Sequence, residues 1–161
     1  MMKIKFKSIG EIYSPYDEKA GIPIQPVSAL GIHGCIVLKD KFIKGIKDLD
    51  GFSHIILIYY LHKTKKSSLR VKPFLDTNKR GIFSTRSPAR PNHIGLSVVR
   101  LIGIQDNHLI IENVDILNGT PLLDIKPFIP EIDCYDSDYK IGWFTSKVEK
   151  LNEMRSDGRF T

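Results

Sequence analysis

Ile94-Gly-Leu-Ser-Val-Val-Arg-Leu-Ile-Gly-Ile104 is followed, after Gln105, by Asp106-Asn107 and then by His108-Leu-Ile-Ile-Glu-Asn-Val-Asp-Ile116. Two apolar, β-branched runs flank a pair of turn-forming residues. This predicts an antiparallel β-hairpin of strands 94–104 and 108–116. Upstream, residues 52–62 are rich in Ile, Leu and Tyr and predict the strongest single strand; their near-continuous apolarity implies burial on both faces. In such a strand His54 and His62 have the same parity and share a face. Residues 3–13 alternate, with Ile4, Phe6 and Ser8 against Lys3, Lys5 and Lys7, and residues 31–38 alternate again, so both predict half-buried strands. Shorter extended pieces are expected at 69–75, 81–85, 122–129 and 140–144. Residues 42–49 suit a helical turn or two, ended by Asp50-Gly51. Residues 146–154 predict a final helix, and the polar residues 155–161 a fraying tail.

Strands thus outnumber helices, and no βαβ rhythm or internal repeat appears. The expected fold class is mainly β: a single antiparallel sheet closed, or nearly closed, into a barrel with a few short helices. The chain has 161 residues, the size of one domain, enough for a core without metal or disulfide support. The expected organisation is a barrel domain over residues 1–145 with a C-terminal helix and tail over 146–161.

Composition narrows the function. Two cysteines, Cys35 and Cys134, are too few for a disulfide framework. His33 and Cys35 have no second pair to mirror them, so no metal site is expected. Residues 1–10 lack the apolar core of a signal peptide, and the longest apolar run is too short to span a membrane. A soluble, cytoplasmic protein is expected. The net charge of +6 and pI of 9.3 favour an anionic partner, nucleic acid first. No Rossmann glycine fingerprint, phosphate-binding loop, hydrolase elbow or His-Glu-x-x-His pattern is present.

Three segments look chemical. Gly21-Ile-Pro-Ile-Gln-Pro-Val27 continues the loop begun at Ser14-Pro15, and its prolines make it rigid without sheet partners. It offers backbone groups to a ligand at small entropic loss, although from the residues alone a plain connector is the simpler reading. Thr85-Arg-Ser-Pro-Ala-Arg-Pro-Asn-His-Ile-Gly-Leu96 places Arg86 and Arg90 in a loop shaped by two prolines, suited to a carboxylate or phosphate; surface arginines on a proline turn explain it equally. Finally, Asn118-Gly119 is a turn, and Asp124 and Lys126 share one strand face as an ion pair or as groups that orient a reacting atom.

In this order, Ile9-Gly-Glu-Ile-Tyr-Ser-Pro-Tyr16, Pro23-Ile-Gln-Pro26, the 81–96 stretch and the 115–130 stretch with Gly119-Thr-Pro121 and Asp124-Ile-Lys-Pro127 resemble the TrmO family, known also as TsaA-like proteins. The resemblance runs over residues 5–130. It implies a single-sheet β-barrel working as a homodimer. It further implies that S-adenosylmethionine is the methyl donor and that the acceptor is the exocyclic amine of a threonylcarbamoyl-modified adenosine beside the tRNA anticodon. Carried over residue by residue, it assigns cofactor binding to Gln25, Pro26, Val27, His62, Lys63, Arg86, Leu96, Asp115, Ile116, Leu117 and Asn118. Leu96, Ile116 and Leu117 would flank adenine, Asp115 would take the ribose hydroxyls, and Arg86 or Lys63 would hold the methionine carboxylate. Asp124 is the candidate base or orienting group, with Lys126 holding it ionised or touching phosphate.

The chain departs from the family pattern at four places. Val27 stands for glycine, Lys63 for glutamine, His93 for proline and Asn118 for aspartate. Longer members also carry a C-terminal domain that helps to grip tRNA. Three functions therefore stay open: a tRNA methyltransferase with a basic footprint at Lys63, Lys65, Lys66, Arg70 and Lys72, a methyltransferase for another RNA or a small molecule, and a module that binds S-adenosylmethionine without methyl transfer.

Overall fold

The computed structural model describes residues 2–135, 137, 139–145 and 147–157. Among the described residues eight strands are formed: β1 (Gly10–Tyr13), β2 (His33–Leu38), β3 (His54–Tyr60), β4 (Arg70–Val71), β5 (Arg80–Gly81), β6 (Ile94–Gln105), β7 (His108–Glu112) and β8 (Thr120–Pro127). Six of them close a barrel in the order β1-β2-β7-β6-β3-β8, with every pairing antiparallel. The expected mainly β barrel with a few short helices is what forms. The β6–β7 hairpin turns at Asp106-Asn107, where Asp106 takes φ 53°, a left-handed conformation that Asp and Asn tolerate.

Closure follows from the alternation of side chains. Ile12, Ile36, Ile55, Leu57, Val99, Leu109, Ile111 and Leu122, drawn from β1, β2, β3, β6, β7 and β8, point inward and are fully buried. The 3-10 turns Asp40–Ile46 and Leu49–Gly51 cover one end of the barrel, with Ile46 and Leu49 packed on the core. The opposite end, where β3 finishes and β6 and β8 begin, stays open.

Several expectations need correction. The first strand starts only at Gly10; Ile4 and Phe6 alternate with lysines but are exposed, because no strand among the described residues pairs with them. β3 is not buried on both faces: Ile55, Leu57 and Tyr59 are buried, whereas Ile56 and Ile58 are only partly covered. His62 lies past the strand end, so it does not share a strand face with His54. Extended structure at 69–75 contracts to β4, and at 81–85 to the end of β5 before a 3-10 turn, Ile82–Ser84. β7 ends at Glu112, because Asn113 takes φ 68°. Residues 142–144 form a 3-10 turn rather than a strand, and Val148–Glu153 is 3-10 rather than α-helical. Ser146 and residues 158–161 lie outside the described residues. An α-helical turn, α1 (Pro130–Asp133), was not expected.

The C-terminal segment does not fray where it is described. Ser156 donates its amide to Ile22 O (2.8 Å) and accepts from Gly21 N (2.7 Å), and Arg155 bridges to Pro23. The Ser28 hydroxyl donates to Leu151 O, and Trp143 Nε1 donates to Ser84 O (2.8 Å). At the centre of this docking is Asp76, a buried carboxylate in the loop between β4 and β5. It accepts from Asn78 N at 3.1 Å and Arg80 Nε at 2.7 Å and pairs with Lys147 Nζ at 3.2 Å. The Asn78 amide, then the Arg80 guanidinium, hold its carboxyl well below the usual carboxylate range. Asp76→Asn keeps the acceptor for Asn78 but removes the charge that Arg80 and Lys147 face. Trypsin should then cut at Lys147 and Lys150 roughly tenfold faster than in the wild type, with the barrel itself intact. Equal cleavage rates would mean that Asp76 is not what holds this segment down.

Candidate functional site

The open end of the barrel leads into a cavity of about 490 Å³, within the range of small-molecule sites. Its floor comes from the ends of β3 and β6, through Tyr59, Gly95 and Leu96. One wall is the 115–117 turn after β7 and another the 85–90 loop; the rest comes from residues 22–25, 61–64 and 73–75, from Lys19 and Thr120, and from the C-terminal segment.

Each wall has a local cause. In β6 the inward row is Ser97, Val99 and Leu101, so Ser97 is the one polar member of a buried row. Its hydroxyl donates to Asp115 Oδ1 at 2.7 Å and lies 3.0 Å from the Tyr59 hydroxyl. An ionised carboxylate only accepts, so the Ser97 proton goes to Asp115, and Tyr59 donates to Ser97. Burial raises the Tyr59 phenol far above its ordinary value, which keeps that proton in place. Burial likewise pushes Asp115 up to about 6, against the Ser97 hydrogen bond and the more distant Arg86.

Arg86 extends from the 85–90 loop, and its Nη1 donates to Gln25 Oε1 at 2.6 Å, joining two of the walls. Arg90 has a different task. Its Nη1 donates to Thr85 O (2.8 Å) and Ile82 O (3.3 Å), so it holds the loop's shape. His62 lies at the mouth, 3.4 Å from Thr120 Oγ1, and burial followed by Lys63 lowers its pKa, so it stays neutral at pH 7. Lys63 Nζ donates to Asp17 O at 2.9 Å.

The expected cofactor positions divide cleanly. Gln25, His62, Lys63, Arg86, Leu96, Asp115, Ile116 and Leu117 line the cavity. Pro26 and Val27 begin a 3-10 turn beside it, and Val27 is exposed. Asn118 clasps the 14–17 loop instead: its Oδ1 accepts from Ser14 N (3.2 Å) and its Nδ2 donates to Asp17 Oδ1 (2.9 Å). Asp124 and Lys126 form an ion pair of 3.1 Å farther along β8, outside the cavity lining, with side chains 47% and 58% exposed. His93 takes φ 47°, which proline, held near −65°, does not adopt. Sequence reasoning missed Tyr59, Ser97, Lys19 and the C-terminal residues Trp143, Phe144, Leu151 and Ser156. Only Ser97, polar in an apolar row, carried a readable signal.

Among the described residues no group of three or more His, Cys, Asp or Glu side chains is placed to hold a metal ion, and no helix is long and apolar enough to cross a membrane.

The model of the tRNA-methyltransferase O N-terminal domain matches residues 11–134. A probable S-adenosyl-L-methionine-binding protein of Pyrococcus abyssi is 48% identical over 159 residues, 99% of this chain and 86% of that protein. A human protein named tRNA (adenine(37)-N6)-methyltransferase is 34% identical over 132 residues, 78% of this chain but only 30% of that protein. The crystal structure of TrmO from Pseudomonas aeruginosa superposes with a TM-score of 0.74 at 35% identity, covering 88% of this chain and 63% of that one. The chain therefore spans less than two thirds of that solved structure and under a third of the human relative.

Proposed function

Since this chain belongs to the TrmO family, we propose that it is an S-adenosylmethionine-dependent methyltransferase acting on tRNA. What carries the reading is one cavity in which a cation, a partly buried carboxylate and aliphatic faces meet: Arg86, Asp115, and Leu96 with Ile116 and Leu117. That donor set suits the cofactor: Arg86 and Lys63 for its carboxylate, Asp115 for its ribose hydroxyls, and the aliphatic trio for its adenine. The bound cofactor supplies a sulfonium methyl group that already carries its leaving group. The protein's work is then to align the acceptor amine and exclude water, and the barrel mouth with the docked C-terminal segment serves that end.

The finer acceptor, the exocyclic amine of threonylcarbamoyl-modified adenosine beside the anticodon, is part of the same proposal, as is a cytoplasmic location. Lys65, Lys66, Arg70 and Lys72, with Lys63 at the mouth, form the basic footprint for tRNA phosphates. Asp124 and Lys126 belong to the reading through a homodimer. Their ion pair stands in solvent, free to meet a second copy, where Asp124 would take the amine proton and Lys126 would orient Asp124.

Calorimetric titration with S-adenosylmethionine, with ATP as control, should show one selective site per chain. Tritiated methyl should then pass to unfractionated tRNA, and light scattering should give a dimer. Binding with no transfer to tRNA or to cell extract would leave a binding module instead. Full activity in a monomer would remove Asp124 and Lys126 from the site.

A further inference from the structure

The proposed reaction brings two purines into one site, the cofactor's adenine and the acceptor base. The cavity offers two different apolar surfaces. The aliphatic one, Leu96 with Ile116 and Leu117, lies beside Asp115. The aromatic one is made of Phe74, from the loop between β4 and β5, and of Trp143 and Phe144, from the C-terminal segment.

We infer that this aromatic wall is the subsite of the acceptor base, and that residues 142–145 and 147–156 belong to a strap that builds it. This rests on the methyltransferase reading above. The strap lies beyond residue 134, where the match to the family domain ends, yet Trp143, Phe144, Leu151 and Ser156 all line the cavity. A base extruded from an RNA loop is held chiefly by stacking on aromatic rings, which accept any purine face. The cofactor's adenine already has aliphatic faces near the ribose acceptor, so the rings are left for the second purine.

The wall is braced for that task. Phe144 stacks on Trp143 with ring centroids 4.0 Å apart and planes 30° apart. The Trp143 indole N–H is fixed by Ser84 O at 2.8 Å. Arg80 and Lys147 lie 5.6 and 5.4 Å from its ring centroid, and Asp76 holds both. The rings are therefore set before any ligand arrives, so little ordering is needed on binding. A strap of this kind makes acceptor choice a property of the C-terminal segment, separate from the cofactor walls in the shared domain.

The test uses the full chain. Phe144→Leu keeps bulk but loses the ring face, and Phe144→Tyr keeps the face. In methyl transfer to unfractionated tRNA, Phe144→Leu should raise KM for tRNA roughly tenfold, with the calorimetric Kd for S-adenosylmethionine within about twofold of wild type. Phe144→Tyr should behave as wild type. Trp143 is the only tryptophan in the sequence, so its fluorescence reports on the wall directly. An anticodon stem-loop oligoribonucleotide, added with S-adenosylhomocysteine present, should quench it in the wild type. An unchanged KM in Phe144→Leu, or a Kd for S-adenosylmethionine that moves by the same factor as KM, overturns the inference. Quenching by RNA from a wild type that transfers no methyl would sink the methyltransferase reading but leave the wall standing as an RNA-base site.

Discussion

Gly95→Ala should both destabilise the barrel and empty the site. A Cβ at Gly95 would lie 2.2 Å from Tyr59 Cε2, 2.5 Å from Cζ and 2.8 Å from Cδ2. The two residues are cross-strand partners in the β3–β6 register, and both backbones are held by the closed sheet. The strands have little room to part, so the ring must move. Overpacking of this kind costs about 1–3 kcal/mol. The displaced phenol leaves Ser97, and Ser97 then loses the partner that fixes its proton on Asp115. With that chain of hydrogen bonds broken, affinity for S-adenosylmethionine should fall roughly tenfold to a hundredfold. Tyr59→Phe isolates the hydroxyl's share, keeping the fold and losing about 1 kcal/mol of hydrogen bonding. The double variant Gly95→Ala with Tyr59→Leu removes the ring that clashes. It should regain thermal stability over Gly95→Ala alone and still bind poorly. If Gly95→Ala melts and binds like the wild type, the contact with Tyr59 does not organise the site.

The same contact shows what the sequence makes legible. The barrel is readable because its signals are local: the hairpin at Asp106-Asn107 follows from two turn residues between two apolar runs, and β6 extends only one residue past its expected end. Alternation alone was not enough at residues 3–9, since a period of two predicts a strand only where another strand exists to pair with it, and there Ile4 and Phe6 find none. In β3 an apolar run hid a strict in-and-out pattern, because the half-covered outer face also favours Ile. At the site, Ser97 carries a signal that the sequence reading did not use, a polar residue in an apolar row, whereas its partners Tyr59 and Asp115 lie 38 and 18 residues away and no spacing rule joins them. Arg86 stood out by its place in a loop stiffened by two prolines, whereas the roles of Asp115 and the 115–117 turn came from the family resemblance. The C-terminal strap was the least legible part. It is made of 3-10 turns held by single side-chain and backbone bonds to remote loops, such as Ser28 to Leu151 and Trp143 to Ser84, and such docking leaves no periodicity to read.

Asp115→Asn should make the protein more stable and less able to bind. In the folded chain the carboxyl of Asp115 is pushed up to about 6 from an ordinary 3.8, mainly by burial. The sign follows from proton binding. Between pH 3.8 and 6 the folded state holds a proton that the unfolded state has released, so the contribution of Asp115 to stability is full below about 4. It is lost as pH rises through 6, and above that the buried charge is carried in full. At 1.36 kcal/mol per unit the penalty is at most ~3 kcal/mol, and less in practice because the side chain is partly open to a wet cavity. Asparagine keeps an acceptor for the Ser97 hydroxyl and carries no charge. Urea titrations should therefore find Asp115→Asn about 1–2 kcal/mol more stable than the wild type at pH 8 and equal to it at pH 4. Binding should move the other way. A carboxylate that accepts two ribose hydroxyls contributes about 1.5–3 kcal/mol, so affinity for S-adenosylmethionine at pH 8 should fall roughly tenfold to a hundredfold. In the wild type affinity should also drop about tenfold per pH unit below 6, and in Asp115→Asn that slope should vanish. A variant that loses stability at pH 8 would show that the carboxylate is a structural group held by Ser97. One that gains stability and still binds with wild-type affinity would move the ribose contact to another wall of the cavity. The pattern of a group that strains the empty fold and is satisfied only by its ligand is the mark of a binding residue, and Asp115 is where this chain should display it.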